Sequence, residues 1–174
     1  MSSNHVTELV ELLHLEQLED NLFRGQSRDI GTRFVFGGQV LGQALAAAQL
    51  TVDTEREAHS LHAYFLRAGD IEAPIVYSVE RTRDGGSFSS RSVLAIQHGQ
   101  PILSGSISFQ RPEHGVEHQT TMPQVPAPDD LEPMRHLPPD ELARLPVKLQ
   151  RWLGTGGPFE FREDLARDEL QPVK

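Results

Sequence analysis

The sequence has no cysteine, no long apolar run and no excess of basic residues, and each absence excludes a class of protein. Without cysteine, the 174-residue chain cannot form a disulfide framework, a thiolate nucleophile or a zinc site with sulfur ligands. No stretch approaches the ~20 apolar residues of a membrane-spanning helix, so a membrane protein is not expected. The chain carries 16 basic against 25 acidic residues, a formal charge of −9. Because no basic cluster is present, we expect no nucleic-acid partner.

The size and the first residues of the chain indicate a small cytoplasmic protein. A length of 174 residues suits one domain, or one domain with a tail, and 37% apolar residues can fill one core. The opening MSSNHVTELVELL has no basic segment followed by an apolar stretch. It therefore lacks the pattern of a secretory signal, and we predict a cytoplasmic location.

Proline divides the chain into two parts. Nine of the 12 prolines lie between Pro112 and Pro158. Proline has no amide donor and fixes φ, so this density opposes both a helix interior and a central strand. We predict a folded domain over residues 1–112 and a proline-rich linker with a C-terminal segment over residues 113–174. One short helix is expected between Leu131 and Leu153.

Two helices are predicted in the first part. Leucines recur at helical spacing between Thr7 and Leu18, which indicates an amphipathic helix. A second helix is predicted over Gln39–Leu50, where apolar residues surround the helix instead of forming one stripe. Such a helix is typical of a position that is buried on nearly all sides.

Four strands follow the second helix. Alternating or β-branched segments predict them at His59–Arg67, Pro74–Arg83, Phe88–Gln97 and Pro101–Gln110. The connections Asp84-Gly85-Gly86 and His98-Gly99 are typical of tight turns that use a positive φ. The order of elements predicts an α+β fold, in which an antiparallel sheet, wound as a meander, wraps one hydrophobic helix.

Several motifs together resemble one enzyme family. They are FRGQS, VFGGQVLGQAL, HSLHAYFLRAGD, ERTRDGGSFSSRSVLAIQHGQPI and SFQ. From about Leu12 to Pro128 the sequence resembles the N-terminal half of the type II acyl-CoA thioesterases, which are double-hotdog enzymes. The resemblance implies a hotdog fold around the helix Gln39–Leu50. It also implies hydrolysis of fatty acyl-CoA to the free fatty acid and CoA, and we expect no cofactor.

The chain departs from the family at its C-terminal end. The family's catalytic Asp, Ser or Thr, and Gln belong to a second hotdog, whereas this sequence ends at Lys174. None of the three is therefore carried over to this chain. We expect a half that pairs with a copy of itself or with another hotdog half, because an open sheet edge invites association. The alternative is a non-catalytic acyl-CoA-binding or interaction module.

Gly38 and Gln39, at the start of the second helix, are the first candidate site. A helix start offers unpaired amides and a positive dipole end, which suit the oxygen of a thioester as it gains negative charge. The alternative is that Gly37 and Gly38 only permit a tight turn and close packing.

His59 is the second candidate, because the resemblance places it at the family's HS-x-H position. It could face the acyl-CoA cleft as a catalytic residue, or it could be a core histidine bonded to the backbone. His59 and His62 are three residues apart on a strand and point to opposite faces. We therefore predict no metal site there.

Arg83 and Arg91 flank the Asp84-Gly85-Gly86 turn and are the third candidates. In hotdog proteins this region lies beside the CoA channel, so the resemblance implies that either arginine could contact a phosphate. The alternative for each is a solvent-exposed side chain. Gly85 to Ser89 do not form a nucleophile elbow, because Ser89 replaces the second glycine and the turn joins two strands.

Overall fold

The computed structural model describes residues 3–30, 32–147, 149–150, 153 and 158–162. The chain divides into two units, one over Thr7–Gly115 and one made of Met1–Val6 with Val116–Lys174. In chain order, the helices and strands are α1 (Ser3–Leu13), β1 (Glu16–Glu19), β2 (Leu22–Gly25), α2 (Gly37–Gln49), β3 (Glu57–Phe65), β4 (Ile75–Asp84), β5 (Phe88–Gln97), β6 (Gln100–Gln110) and α3 (Pro139–Leu142).

The six strands form one antiparallel sheet in the order β1-β2-β4-β5-β6-β3. This sheet with its central helix confirms the predicted α+β hotdog fold. The predicted simple meander is wrong for β3, which pairs with β6 and not with β4. Tight turns hold β4, β5 and β6 in sequence, whereas residues 66–74 form a longer connection that lets β3 lie at the far edge.

The helix α2 packs on one face of the sheet, which we call the inner face. Along β5 the residues Ser89, Arg91, Val93, Ala95 and Gln97 are buried, and the residues between them are half-buried or exposed. This period of two gives one buried face and one outer face. Residues Gln39–Gln49 are buried or half-buried, so the burial predicted for the second helix is confirmed over this range, but the last predicted residue, Leu50, is 59% exposed.

The first helix is shorter than predicted. It ends at Leu13, whereas the sequence pattern predicted a helix as far as Leu18. Residues Glu16–Glu19 instead form β1, which pairs with β2 through a turn at Asp20 and Asn21. Asp and Asn favour turns because their side chains bond the local backbone, and strand pairing then outweighs the helical spacing of the leucines.

The two predicted turns differ in backbone conformation. His98 and Gly99 have φ values of 49° and 71°, as the prediction requires. Among the described residues no other φ is positive, so the prediction of a positive φ at Gly85 and Gly86 is wrong. The loop after β4 is longer than a two-residue turn, and it closes with a hydrogen bond of 2.8 Å from the amide of Gly85 to the carbonyl oxygen of Phe88.

The second unit contains little regular structure. Residues 116–127 form no helix or strand, and two 3-10 turns follow at Pro128–Asp130 and Met134–His136. The helix α3 lies in the region where one short helix is expected. It has four residues and starts with a proline, which suits a first helical position. No helix in the described ranges has the length and apolar character needed to cross a membrane.

Candidate active site

A pocket of about 420 Å³ opens at the first turn of α2. Gly37 lies in its wall, and its apolar lining consists of Phe34, Val35, Val40, Phe65, Leu66, Ala68 and Ile102. Its volume lies within the range of small-molecule sites. We call it the helix-start pocket.

The start of α2 has unpaired donors. The amides of Gln39 and Val40 donate to the carbonyl oxygen of Phe36 at 3.0 and 3.3 Å. The amides of Gly37 and Gly38 have no hydrogen-bond partner within the described ranges, and no side chain caps the helix. Two amide donors and the positive end of the helix dipole are therefore available at this point.

Two phenylalanine rings lie close to the two glycines. A Cβ atom on Gly37 would lie 3.1 Å from the ring of Phe65, and one on Gly38 would lie 2.4 Å from the ring of Phe36. Both rings remain more than half exposed, at 59% and 53%. The rings thus pack loosely beside the two glycines, and the amides of both glycines have no hydrogen-bond partner within the described ranges.

Gln39 supports the neighbouring loop. Its side chain is buried, Nε2 donates to the carbonyl oxygen of Gln26 at 3.0 Å, and Oε1 accepts from the amide of Arg28 at 3.3 Å. Both ends of the amide group are occupied by backbone. The side chain of Gln39 thus holds the neighbouring loop, whereas the substrate contact expected at the helix start concerns backbone amides and stays a prediction.

Gln43, one turn further along α2, was not identified from the sequence. Its Nε2 donates to the carbonyl oxygens of Leu12 and Gln26 at 2.7 and 3.0 Å. Its Oε1 accepts from the hydroxyl of Tyr77 at 2.8 Å, and burial raises the pKa of Tyr77 above its ordinary range. The signal was present, because two glutamines four residues apart on a helix that is predicted to be buried on nearly all sides must both find internal partners.

The loop between β3 and β4 forms one wall of the pocket and is held by Gln97. Gln97 Nε2 donates to the carbonyl oxygens of Asp70 and Ala73 at 2.9 and 2.8 Å, and its Oε1 accepts from the amide of Asp70 at 2.8 Å. His98 Nε2 lies 2.9 Å from Asp70 Oδ2. The amide of Glu72 and the side chain of His98 hold the pKa of Asp70 below its ordinary value. This wall is therefore built by polar contacts as well as by packing.

Arg91 is buried, contrary to the expectation of an exposed or phosphate-binding side chain. Nε and Nη2 donate to Oγ1 and the carbonyl oxygen of Thr51 at 2.8 and 2.9 Å, and Nη2 also donates to Asp84 at 2.7 Å. Nη1 donates to the carbonyl oxygens of Arg83 and Ser90 at 3.0 and 2.9 Å. A guanidinium has five N–H donors, so none remains for a phosphate.

His59 lies on the outer face, opposite α2. Its Nε2 is 2.9 Å from the hydroxyl of Ser108, and its ring packs against Phe88 at 5.7 Å between centroids. It precedes Phe65 by six positions on β3, which corresponds to about 20 Å along the strand. Within this chain, His59 is therefore far from the first turn of α2, and it is not a core histidine.

The sequence-predicted residues thus form two groups. Gly38 and Gln39 lie at the start of α2. His59, Arg83 and Arg91 lie towards the end of the sheet where α2 stops, as shown by the bonds from Arg91 to Thr51. The antiparallel sheet and the length of the helix keep the two groups apart.

The region that contains both groups matches a known family. The family model of the acyl-CoA thioesterase N-terminal domain matches residues 24–110. The chain belongs to the type II acyl-CoA thioesterase family. The resemblance noted in the sequence motifs is thereby confirmed.

Curated members of the family match most of the chain. It is 46% identical over 172 residues to acyl-CoA thioesterase 2 of Haemophilus influenzae, covering 99% of this chain and 60% of that protein. It is 43% identical over 158 residues to human acyl-coenzyme A thioesterase 8, covering 87% of this chain and 50% of that protein. The chain thus spans about half to three-fifths of the length of these relatives.

A solved family member has the same fold. The acyl-CoA thioesterase II of Mycobacterium marinum is 48% identical and superimposes with a TM-score of 0.66, over 80% of this chain and 56% of that one. A hot dog fold protein of Alicyclobacillus acidocaldarius, 22% identical with a TM-score of 0.65, supports the fold alone. The hotdog assignment therefore has support from close and distant structures.

The helix-start pocket combines an apolar lining with two unpaired amides, but its lining contains no base. Arg67 is the one ionisable residue among the described residues that line it, and Nη1 of Arg67 donates to the carbonyl oxygen of Pro101 at 2.7 Å. A guanidinium stays protonated and has no acceptor, so it cannot take a proton from water. A group that activates water for a family reaction must come from outside this lining.

Proposed function

We propose that the chain forms the acyl-binding half of an acyl-CoA thioesterase, which hydrolyses fatty acyl-CoA to the free fatty acid and CoA. Water adds to the thioester carbonyl carbon, the C–S bond breaks, and the CoA sulfur leaves and is protonated. The observation that carries the proposal is the meeting of two unpaired amides, of Gly37 and Gly38, with an apolar pocket of about 420 Å³.

Each part of this pocket has a role in the proposed reaction. The thioester oxygen gains negative charge as water adds, and the amides of Gly37 and Gly38 with the helix dipole stabilise that charge. The apolar walls, including Val40 and Ile102, remove the fatty acyl chain from water. Gln39, Gln43 and Gln97 keep the adjoining loops in place.

The water-activating groups come, we propose, from a second hotdog half. The free edge of β3 is the place for that half, because its outward backbone groups have no strand partner in the sheet. Exposed Tyr64 and Phe65 lie at the end of this strand, at 64% and 59%. The same edge of β3 can instead pair with β3 of a second copy of this chain.

Antiparallel pairing of two such edges gives His59 a possible role. In an antiparallel pair, the start of one strand lies beside the end of the other. His59 then lies level with the end of the paired β3 strand, on the outer face of the joined sheet. We therefore retain His59 as a catalytic candidate for the paired protein only.

A tryptophan substitution tests the pocket. Leu66 is 47% exposed and lines the helix-start pocket, so Leu66→Trp narrows the pocket with little disturbance of the core. In protein that includes a second hotdog half, we expect kcat/KM for palmitoyl-CoA to fall ten-fold or more, with a smaller loss for short acyl-CoA. Leu94→Trp, on the outer face and 42% exposed, is the matched control.

The assay follows the release of free CoA thiol. Equal turnover of palmitoyl-CoA by Leu66→Trp and the wild type would contradict acyl binding in this pocket. Without a second half, we expect this chain to hydrolyse acyl-CoA far more slowly than a complete family member. Comparable turnover would show a base that the described lining does not contain.

We also propose a cytoplasmic location. A yeast relative, 29% identical over 175 residues, is named as a peroxisomal acyl-coenzyme A thioester hydrolase. Fractionation of the source cells distinguishes a cytosolic from a peroxisomal location. The proposal requires the protein in the cytosolic fraction.

A further inference from the structure

Tyr77 carries a buried phenol hydroxyl that the proposed reaction does not use. It lies on β4, between Phe23 of β2 and Ala95 of β5, and all three side chains are buried. A buried hydroxyl needs a hydrogen-bond partner, because an unpaired one is costly. The hydroxyl of Tyr77 donates to Oε1 of Gln43 at 2.8 Å. A phenylalanine would fill nearly the same space, so the contribution of the hydroxyl is its bond to Gln43.

The bond from Tyr77 fixes the orientation of the Gln43 amide group. Burial raises the pKa of Tyr77, so the phenol stays protonated and acts as the donor. The oxygen of Gln43 must then face Tyr77. Its Nε2 faces the carbonyl oxygens of Leu12 and Gln26, at 2.7 and 3.0 Å. Gly25 lies against the same group, since a Cβ atom there would be 2.6 Å from Oε1 of Gln43.

The carbonyl oxygen of Gln26 ties two turns of α2 to the loop that precedes the helix. It accepts from Nε2 of Gln43 and from Nε2 of Gln39, each at 3.0 Å. The side chain of Gln39 also accepts from the amide of Arg28, in the same loop, at 3.3 Å. A carbonyl oxygen has two lone pairs, and the two glutamines use both. The position of α2 along its axis is therefore fixed relative to this loop.

The same loop leads into the helix-start pocket. The chain runs from it to Phe34 and Val35, which line the pocket, and then to Gly37, where α2 begins. Gln43 follows Gly37 by six positions, which corresponds to about 9 Å along the helix. A shift of α2 against the loop would therefore move the amides of Gly37 and Gly38 relative to the pocket wall.

We propose that Tyr77 is a positioning residue for thioester hydrolysis, and that it acts through Gln43 on the start of α2. The inference rests on the proposed function, because it concerns the amides of Gly37 and Gly38. Tyr77 lies in the core and is not among the residues that line the pocket. A misplacement of about 1 Å can lower a rate about 100-fold. Loss of the hydroxyl should therefore lower kcat and leave the apolar walls as they are.

Tyr77→Phe tests the proposal in protein that includes a second hotdog half. We expect kcat for palmitoyl-CoA, followed by thiol release, to fall ten-fold or more, with KM within two-fold of the wild type. The matched control is Thr51→Val. Thr51 lies just beyond the other end of α2, and its buried hydroxyl donates to the carbonyl oxygen of Ala48 at 2.8 Å. Unchanged kcat in Tyr77→Phe, or an equal loss in Thr51→Val, would overturn the proposal.

A double-mutant cycle shows whether the effect passes through Gln43. In the Gln43→Met background, Tyr77→Phe should cause no further loss of kcat, because the hydroxyl has no amide group to orient. A purely structural role of Tyr77 would give the same ten-fold loss in both backgrounds, and that result would refute the path through Gln43.

The amide proton signals of Gly37 and Gly38 give a readout that needs no catalysis. In Tyr77→Phe these signals should shift, whereas those of Gly85 and Gly86, in the turn after β4, should not. Unchanged signals at Gly37 and Gly38 would refute the positioning role, and they decide the question if Gln43→Met does not fold. A wild type that hydrolyses no acyl-CoA would refute the proposed function, while the amide signals still show whether Tyr77 positions the helix start.

Discussion

Arg91 anchors the segment that directly follows the central helix, because its Nη2 donates to the carbonyl oxygen of Thr51 at 2.9 Å while its Nε donates to the hydroxyl of the same residue. A cation at this end of a helix interacts favourably with the dipole and with carbonyls that have no helical partner. β5 therefore supports the helix at the end opposite the helix-start pocket.

Arg91→Leu should lower the free energy of unfolding by about 2–4 kcal/mol, because several carbonyl oxygens lose their buried donor. Arg91→Lys should recover only part of the loss, since an ammonium cannot supply five donors in a plane. Urea unfolding measures both. Exposed Arg81→Leu is the control and should cost under about 1 kcal/mol. A similar loss for Arg81→Leu would contradict the anchoring role.

Asp84 should make stability depend on pH on the acid side. Hydrogen bonds from Ser89 and Arg91 hold its pKa below its ordinary value of 3.8. The unfolded chain then binds the proton more readily, so this contribution is present above about pH 4 and is lost as the pH falls through the lower folded pKa. The difference in unfolding free energy between wild type and Asp84→Asn should shrink between about pH 5 and pH 3.

Comparison with this variant isolates Asp84 from the other acids. Asp53 and Asp70, whose pKa values are also lowered, are present in both proteins. Their contributions cancel in the difference as long as the sites are independent. A difference that stays constant over the same pH range would show that Asp84 does not contribute in this way.

Gly25 should not tolerate a side chain. A Cβ there would lie 2.6 Å from Oε1 of Gln43, whose side chain also bonds Tyr77. Gly25→Ala should therefore cost about 1–3 kcal/mol of stability, as overpacked cores do. The matched control is Gly115→Ala, where a Cβ has no neighbour within 4 Å. Thermal unfolding compares the two, and equal melting temperatures would refute the contact.

The central helix and strands β4 to β6 were predictable because local patterns determine them. All-round apolar residues indicated α2, and period-two alternation with tight turns indicated the three strands. The position of β3 was not predictable in this way, since local alternation does not specify which distant strand becomes the partner. The end of α1 was missed because a strand pairing with β2 outweighed the leucine spacing.

The site was predictable only where backbone chemistry defines it. A Gly-Gly pair before a buried helix indicated unpaired amides, and the structure has them at Gly37 and Gly38. Residue type alone predicted an exposed Arg91, because arginine is rarely buried unless its donors all find acceptors. In the structure Arg91 is buried. Residue type also gave no indication that Arg56 is buried, with a bond to a turn 29 positions away.

The chain should associate through the free edge of β3. We expect light scattering at high micromolar concentration to show a dimer or a larger assembly. Tyr64→Lys places a charge on this edge and should shift the protein towards monomer. Leu94→Lys, on the outer face of the central strand β5, should not. A stable wild-type monomer, or equal disruption by Leu94→Lys, would contradict association through the edge.

His59→Ala decides whether His59 acts in the paired protein. In protein that includes a second hotdog half, we expect kcat/KM to fall ten-fold or more, about 1.4 kcal/mol of transition-state stabilisation. The melting temperature should change little, because His59 is exposed and its bond to Ser108 is at the surface. His62→Ala, also exposed on β3, is the control and should keep its activity. Unchanged kcat/KM for His59→Ala would remove His59 from the catalytic candidates and leave it as a surface residue packed on Phe88.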